Sequence, residues 1–525
     1  MPGPCGALPG RQNAPVEPSK RDPLDLDLDP GRDLPLYRQI VDQVRRRIRS
    51  GALPVGFRLP PTRDLARSLK THRNTVVRAY EELAASGHTV STVGRGTFVV
   101  EPPPSPRRTA TRARTPLPWE SLLSDRIQSE PLQRAARLPR DSIRPDTIDL
   151  AGQQPSPDLV PHEALRRCID HVLREKGPKC LGYGPGQGLP ELRAEIAREL
   201  AGNGIPAKSG EIVVTTGSQQ ALDLLARVLV DPGDSFLVEA SSYPGAVHLL
   251  GMAGARVVGV PRDDDGPDLE ELRRLARGGP KGFYLMPSYH NPTGASISAR
   301  RREALVDWSH EAGVPLIEDD YDADLDLDGE PSAPRLRAMD PEVIHVGTFS
   351  KKLIPALRIG YLVCPKPLIA KVIALKTDQD NGNSGLLQHA LAEYLSRGYL
   401  RTHLKKITRE YRTRRDALEE TLRAELPAGI TWNHASRGLF VWLPLPAGIS
   451  AEAVYEEGRR RGVLVMPSLL FRVSDREPAG LRVCFCREPA SRVAEGARRL
   501  AAAIRTVMGQ SGATAAQHGP RLGAT

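Results

Sequence analysis

The chain has 525 residues, a formal net charge of +10 and 40% hydrophobic residues, a length that exceeds one ordinary core and predicts two or more domains. No apolar run approaches the roughly 18 residues of a bilayer span, and the Pro/Gly-rich, then acidic start lacks the pattern of a secretory signal. Six cysteines without C-x-x-C or zinc-ligand spacing (Cys5, Cys168, Cys180, Cys364, Cys484 and Cys486) argue against a disulfide framework or a metal site and predict a reduced, cytoplasmic protein.

The charge is concentrated near the front. Residues 31–100 carry thirteen Lys/Arg against five Asp/Glu, residues 101–145 carry nine against five, and residues 146–525 balance. A basic module on a neutral body is what nucleic-acid binding requires, because phosphates need positive charge only where they sit.

In chain order, residues 1–30 are rich in Pro, Gly and Asp and predict a disordered tail. In the segment 36–50, Ile40, Val44 and Ile48 recur every fourth residue, an amphipathic helix with an arginine-rich outer face that Gly51 ends. A turn, a short helix from Thr62, a second turn at Lys70-Thr71-His72 and a helix from about Asn74 to Ser86 follow. In that last helix Val76, Tyr80 and Leu83 face the core, while Asn74, Thr75 and Arg78 face outward. Its first turn offers Arg73, Asn74 and Thr75 where a recognition helix meets base edges and phosphates. Beyond Gly87 an alternating run turns at Gly94-Arg95-Gly96, a two-stranded wing with the basic Arg95 at its tip.

With turn, helix and wing in this order, residues 31–100 form one domain that resembles the winged helix-turn-helix of GntR-type regulators. The resemblance implies that Arg63, Arg73 and Thr75 meet DNA and that the Gly94–Gly96 wing approaches the minor groove. Val77 stands where some relatives carry a DNA-contacting arginine, so Arg78 does not inherit that role. Arg58 is a further DNA candidate, although its side chain equally suits bracing the turn.

Residues 101–145 open with Pro102-Pro103-Pro104 and continue in Pro, Arg, Ser and Thr, the composition of an extended linker in which Trp119 and Leu122-Leu123 predict a short docked helix. Residues 146–509 form the next domain. Apolar runs at 211–215, 235–238, 282–286 and 315–318, separated by helical patterns, predict an α/β architecture with a mostly parallel sheet. Long helices after residue 376, then strands at 439–443 and 480–485, predict a smaller α+β lobe. Residues 510–525 are Gly/Ala/Thr-rich and predict a frayed tail.

The chemistry lies at the strand ends of this body. A covalently held phosphate cofactor needs a lysine for its aldehyde, an acid for its ring nitrogen, donors to its ring oxygen, a flat group against the ring and a phosphate cup. Gly347–Gly360 sets Lys351 and Lys352 behind the hydroxyls of Thr348 and Ser350, with Arg358 further on. Ile317-Glu318-Asp319-Asp320-Tyr321 runs an apolar strand into two carboxylates and a tyrosine, with Asp319 assigned to the ring nitrogen, Asp320 as the alternative, and Tyr321 to the ring oxygen. Asn291, in His290-Asn291-Pro292-Thr293-Gly294, is a second donor to that oxygen. Thr216-Gly217-Ser218-Gln219-Gln220 opens a helix whose N-terminus suits the phosphate, and Tyr243 is placed to stack on the ring.

Taken together, the GSQQALDL, HNPTG, EDDY and GTFSK motifs make residues 146–509 resemble the fold-type-I aminotransferases. The resemblance implies pyridoxal 5′-phosphate (PLP) as cofactor. It also implies Lys351 rather than Lys352 as the anchor, since relatives place that lysine directly after Phe-Ser and seven residues before the phosphate arginine. Tyr183 is then expected to reach the phosphate of a partner subunit in a homodimer, and Arg482 to bind the carboxylate of an amino-acid ligand.

A GntR-like reader joined by a linker to such a body resembles the MocR/GabR/PdxR-type bacterial transcription regulators. That group implies a PLP-dependent regulator of a double-stranded DNA operator, sensing PLP or a PLP-reactive amino compound. Because the PLP site is complete, including Asn291, a working aminotransferase with an appended DNA-binding domain is the alternative.

Overall fold

The computed structural model describes residues 26–31, 34–92, 94–101, 117–124 and 145–517 together with Leu24 and Ile127, apart from 323, 331, 475–476 and the side chains of 511–517. Two units divide near residue 121.

The first unit contains α1 (Leu36–Arg49), α2 (Thr62–Ser68), α3 (Arg73–Ala85) and a hairpin of β1 (Thr89–Thr92) and β2 (Gly96–Val99). Helix α1 buries Ile40, Val41, Val44 and Ile48, and α3 buries Val76, Ala79, Tyr80 and Leu83; the two stripes close over Leu53, Leu59, Leu65 and Val99. The Tyr80 hydroxyl donates to the Pro60 carbonyl at 2.8 Å, which fixes α3 against the turn that precedes α2. In the hairpin Thr89 lies opposite Val99, and Thr92 opposite Gly96.

The expected N-terminal tail is incorrect at its inner end, because Leu24 and Leu26 are buried in this core. Gln39 of α1 accepts from the Asp29 amide at 3.0 Å and donates to the Asp29 carbonyl at 2.9 Å. Leucines at 24, 26 and 28 alternate with aspartates, so one side of an extended segment is apolar although its average composition is polar. Residues 1–23 lie outside the described ones, as do 102–116 and 128–144 of the expected linker. Within that linker Trp119–Leu122 is helical, but it buries none of its residues, and Trp119 is 65% exposed. A single turn offers too short an apolar stripe to dock as expected.

The second unit is built on a seven-stranded sheet. Its strands are β3 (Ile212–Thr215), β4 (Ser235–Glu239), β5 (Arg256–Val260), β6 (Phe283–Leu285), β7 (Leu316–Asp320), β8 (Ile344–Thr348) and β9 (Gly360–Val363). They lie in the order β3-β9-β8-β7-β6-β4-β5. Strand β9 runs antiparallel to both of its neighbours, and the remaining pairs are parallel. Every residue of β3, β4, β8 and β9 is buried, the signature of strands covered on both faces. One covering helix, α4 (Gly217–Leu229), buries Ala221, Leu222, Leu224, Leu225 and Ala226.

A smaller antiparallel sheet of β10 (Phe440–Pro444), β11 (Met466–Pro467) and β12 (Gly480–Cys484), in the order β10-β12-β11, makes the second lobe with α5 (Tyr399–Glu425) and α6 (Ala490–Gln517). Helix α6 passes through Gln510, which corrects the expected tail; alanines at 513, 515 and 516 favour its continuation. Residues 518–525 lie outside the described ones. No helix among the described residues is long and apolar enough to cross a membrane.

The burial of Leu26 is directly testable. Leu26→Ala should cost the first unit about 2–3 kcal/mol, read as a lower urea midpoint for its transition in the full-length chain. An unchanged midpoint would mean that residues 24–30 do not complete this core.

Candidate cofactor site and nucleic-acid interface

The carboxyl ends of β3, β4, β6, β7 and β8 and the start of the antiparallel β9 share one edge of the large sheet, the edge where open α/β sheets hold ligands. A cavity of about 250 Å³ opens there. Ser218 and Gln219 enter it from the start of α4, Tyr243 from beyond β4 and Asn291 from beyond β6. Asp319 and Tyr321 come from the end of β7, Thr348, Ser350 and Lys351 from the end of β8, and Arg358 from just before β9.

Strand alternation separates the two candidate acids. Asp319 lines the cavity, whereas Asp320 points to the other face and pairs with Arg335 at 3.4 Å. Asp319 is only 5% exposed; its Oδ2 accepts from the Tyr284 hydroxyl at 2.7 Å, and its buried Oδ1 has no partner. Burial pushes this carboxyl up to about 6, against the opposing pull of the Tyr284 hydrogen bond. Tyr321 donates to the Tyr289 carbonyl at 3.1 Å.

The adjacent lysines also part company. Lys351 lines the cavity and donates through Nζ to the Gln153 carbonyl at 2.9 Å, and burial lowers its pKa. Lys352 is buried in an ion pair with Asp324, its ammonium 5.1 Å above the Phe349 ring. Burial would lower the pKa of Lys352, but the Asp324 carboxylate outweighs it and the value rises.

At the start of α4 the first-turn N–H groups have no intrahelical acceptors and form a site for an anion. Gly217 adopts φ 75°, and a Cβ there would lie 2.9 Å from Arg358 Nη2, so only glycine lets the guanidinium approach this end. Arg358, itself at φ 49°, donates to the Thr216 carbonyl at 3.1 Å. Thr348 Oγ1 accepts from the Ser350 amide at 3.1 Å and donates to Ser350 Oγ at 3.1 Å. The Tyr243 hydroxyl donates to Gln219 Oε1 at 2.9 Å.

Two expected residues do not line this cavity. Arg482, on β12, stands behind Asn291, donating from Nη1 to Asn291 Oδ1 at 2.8 Å and from Nη2 to the Ala151 carbonyl at 3.0 Å. Its guanidinium lies 5.4 Å from the Phe440 ring and 5.0 Å from that of Phe471, and its buried Nε has no partner. Tyr183 is 91% exposed and lines a separate open hollow with Asn383 and Ser384. Conversely, Gln153, Tyr284 and Met286 were not singled out from sequence. Tyr284 pairs in register with Ile317, which puts it on the face of Asp319, but a parallel register is not readable from local pattern.

In the first unit Arg63, Arg73 and Asn74 are exposed and Thr75 is half-buried, with His72 Nδ1 accepting from the Asn74 amide at 3.3 Å to cap α3. Arg95 is exposed at the tip of the hairpin. The Arg58 side chain lies across the wing, where a Cβ on Gly96 would come within 2.8 Å of its Nε. Arg78 is exposed, as its spacing predicts, and its guanidinium also sits 4.1 Å from the centre of the Tyr37 ring on α1.

The units match two family models, residues 36–99 that of the gntR family of bacterial regulatory proteins and residues 146–500 that of class I and II aminotransferases. The uncharacterized HTH-type transcriptional regulator YisV of Bacillus subtilis is 33% identical over 86% of this chain and 93% of its own. The probable rhizopine catabolism regulatory protein MocR of Rhizobium meliloti is 33% identical over 84% of this chain and 88% of its own. The chain belongs to the GntR-type regulators with an aminotransferase-like domain. The body of this GntR-type regulator also superposes on α-aminoadipate aminotransferase LysN of Thermus thermophilus, solved with N-(5′-phosphopyridoxyl)-L-leucine. The TM-score is 0.68 at 32% identity, covering 75% of this chain and 100% of LysN.

PLP is the cofactor this family implies, and the cavity of the regulator fits it. The unpartnered Oδ1 of Asp319 suits a protonated ring nitrogen, and the glycine-cleared end of α4 with Arg358 suits a phosphate.

Without cofactor, the raised pKa of Asp319 favours the folded state below its unfolded value, 3.8, and this contribution is lost as pH rises through about 6. Cofactor-free Asp319→Asn should therefore be more stable than the wild-type apoprotein by up to about 3 kcal/mol at pH 7.5, with the gain vanishing near pH 3.5. Thermal unfolding across that range checks it; a gain independent of pH would contradict the buried carboxyl.

Proposed function

We propose that this regulator reads a double-stranded operator through α3 and the wing, and that its aminotransferase-like body is the sensor for PLP or a PLP-reactive amino compound. The supporting observation is the presence in one chain of an exposed basic recognition turn at Arg73 and Asn74 and a cavity reached by Lys351 but not Lys352. Arg63, Thr75 and Arg95 add donors to the DNA face, and Arg58 supports the wing.

Bound PLP supplies an aldehyde for amines and a ring that draws electrons from them. The roles of the residues follow from their chemistry. Lys351 is the covalent anchor, because its lowered pKa leaves more of the amine neutral and nucleophilic. Asp319 would hold the proton on the ring nitrogen, Tyr321 and Asn291 would serve the ring oxygen, and Tyr243 would pack against the ring, since all four line the cavity. Ser218, Gln219, Thr348, Ser350 and Arg358 would take the phosphate, and Arg482, bonded to Asn291 behind the cavity, would take the carboxylate of an amino-acid ligand. Tyr183, exposed in a single chain, completes the site of a second subunit in a homodimer.

An effector changes operator binding only if it favours one of two arrangements of the body, with couplings typically of about 1–3 kcal/mol. A second reading, a catalytically active aminotransferase with an appended reader, is favoured by the complete residue set, including the buried Asn291–Arg482 pair.

Gel shifts with the DNA upstream of the gene, with and without PLP, test the first reading; no sequence-selective binding in either condition would overturn it. Lys351→Ala should remove borohydride-trappable PLP while Lys352→Ala keeps it, and the reverse pattern would exchange the lysines. Arg73→Ala should weaken operator binding and lower the salt slope by about one. An unchanged slope would remove Arg73 from the phosphate contacts.

A further inference from the structure

We propose that Gln153 is a specificity-determining residue whose carboxamide donates to the carboxylate of the amino-acid ligand, so that the body selects amino acids over the corresponding amines. This rests on the reading of the body as a PLP-dependent site for amino compounds.

Gln153 lines the cavity alongside Lys351 and is only 9% exposed. Its Nε2 is buried and has no hydrogen-bond partner. An unpaired buried amide donor is costly and uncommon in native proteins, and a ligand acceptor that occupies it recovers that cost.

The turn that carries Gln153 is held from several sides. Asp149 Oδ1 accepts from the amides of Ala151 at 2.9 Å and Gly152 at 3.1 Å, Arg482 Nη2 donates to the Ala151 carbonyl at 3.0 Å, and the Gln153 carbonyl holds Lys351 Nζ. The carboxamide therefore projects from a fixed backbone beside the amine where the ligand reacts.

A carboxylate brings an acceptor and a negative charge and satisfies the carboxamide donor. A plain amine leaves that donor unpaired, so the discrimination arises from a buried polar group left without a partner.

The test uses full-length, PLP-loaded protein and three pairs that differ by one carboxylate: L-alanine and ethylamine, L-norleucine and pentylamine, L-glutamate and 4-aminobutyrate. Dissociation constants come from the change in the visible absorbance of the bound cofactor. Wild type should favour the amino acid in each pair. Gln153→Leu, which keeps the bulk and removes the donor, should reduce the amino acid to amine preference about tenfold by weakening the amino acid alone. Gln153→Glu, which opposes one carboxylate with another, should reduce it further. If Gln153→Leu fails to fold, Gln153→Asn keeps the carboxamide but shortens its reach, and should still lower the preference. Wild-type protein that takes up no PLP overturns the reading of the body itself. PLP-loaded variants that retain the wild-type preference, or a wild type that binds both members of each pair equally, overturn the role of Gln153.

Discussion

The burial of Asp319 is the constraint on which the body of this regulator depends. A carboxylate at the end of a central strand loses its water, and Tyr284 from the neighbouring strand satisfies only one of its oxygens. The other needs a cation or a proton, and a protonated ring nitrogen supplies one. Only a parallel sheet brings Tyr284, Asp319 and the β8 turn to one edge, since β6, β7 and β8 all run the same way. The neighbouring Asp320, rotated to the opposite face by the pleat, is a structural ion-pair partner of Arg335.

The same economy governs the basic groups. Of two consecutive lysines, one is neutralised by Asp324 and fixes the chain, which leaves the other to reach the cavity. Arg358 is held in a left-handed conformation at the start of β9 and comes against α4 because Gly217 has no side chain. Acid from the middle of the sheet and cations from the flanking turns therefore meet in one cavity. The local strain at Arg358 is tolerated because the sheet and helix fix both sides of it.

Much of this was legible in the sequence because the signals are local. The recognition helix is set by the spacing of Val76, Tyr80 and Leu83, and Lys351, Asp319, Asn291 and Ser218 each follow a short apolar strand that delivers them to the same edge. Residues whose partners lie far along the chain were not legible: Gln153 meets Lys351 across 198 positions, and Tyr284 meets Asp319 through a parallel register. Leu24 and Leu26 were hidden by the aspartates between them, and the continuation of α6 by a composition that also suits a tail. Arg78 satisfied the outward spacing of α3, and its contact with Tyr37 on another helix is one that helical periodicity alone does not report.

Reader and body share one chain, and their relation is thermodynamic. If an amino compound bound at the PLP site changes operator affinity by some factor, operator DNA must change the affinity for that compound by the same factor. The most direct measurement is titration of the PLP-loaded, full-length protein with an amino acid in the absence and in the presence of saturating operator. The account predicts dissociation constants that differ about 5- to 150-fold, the range of typical couplings. Equal dissociation constants in the two titrations would contradict a sensing role for the body.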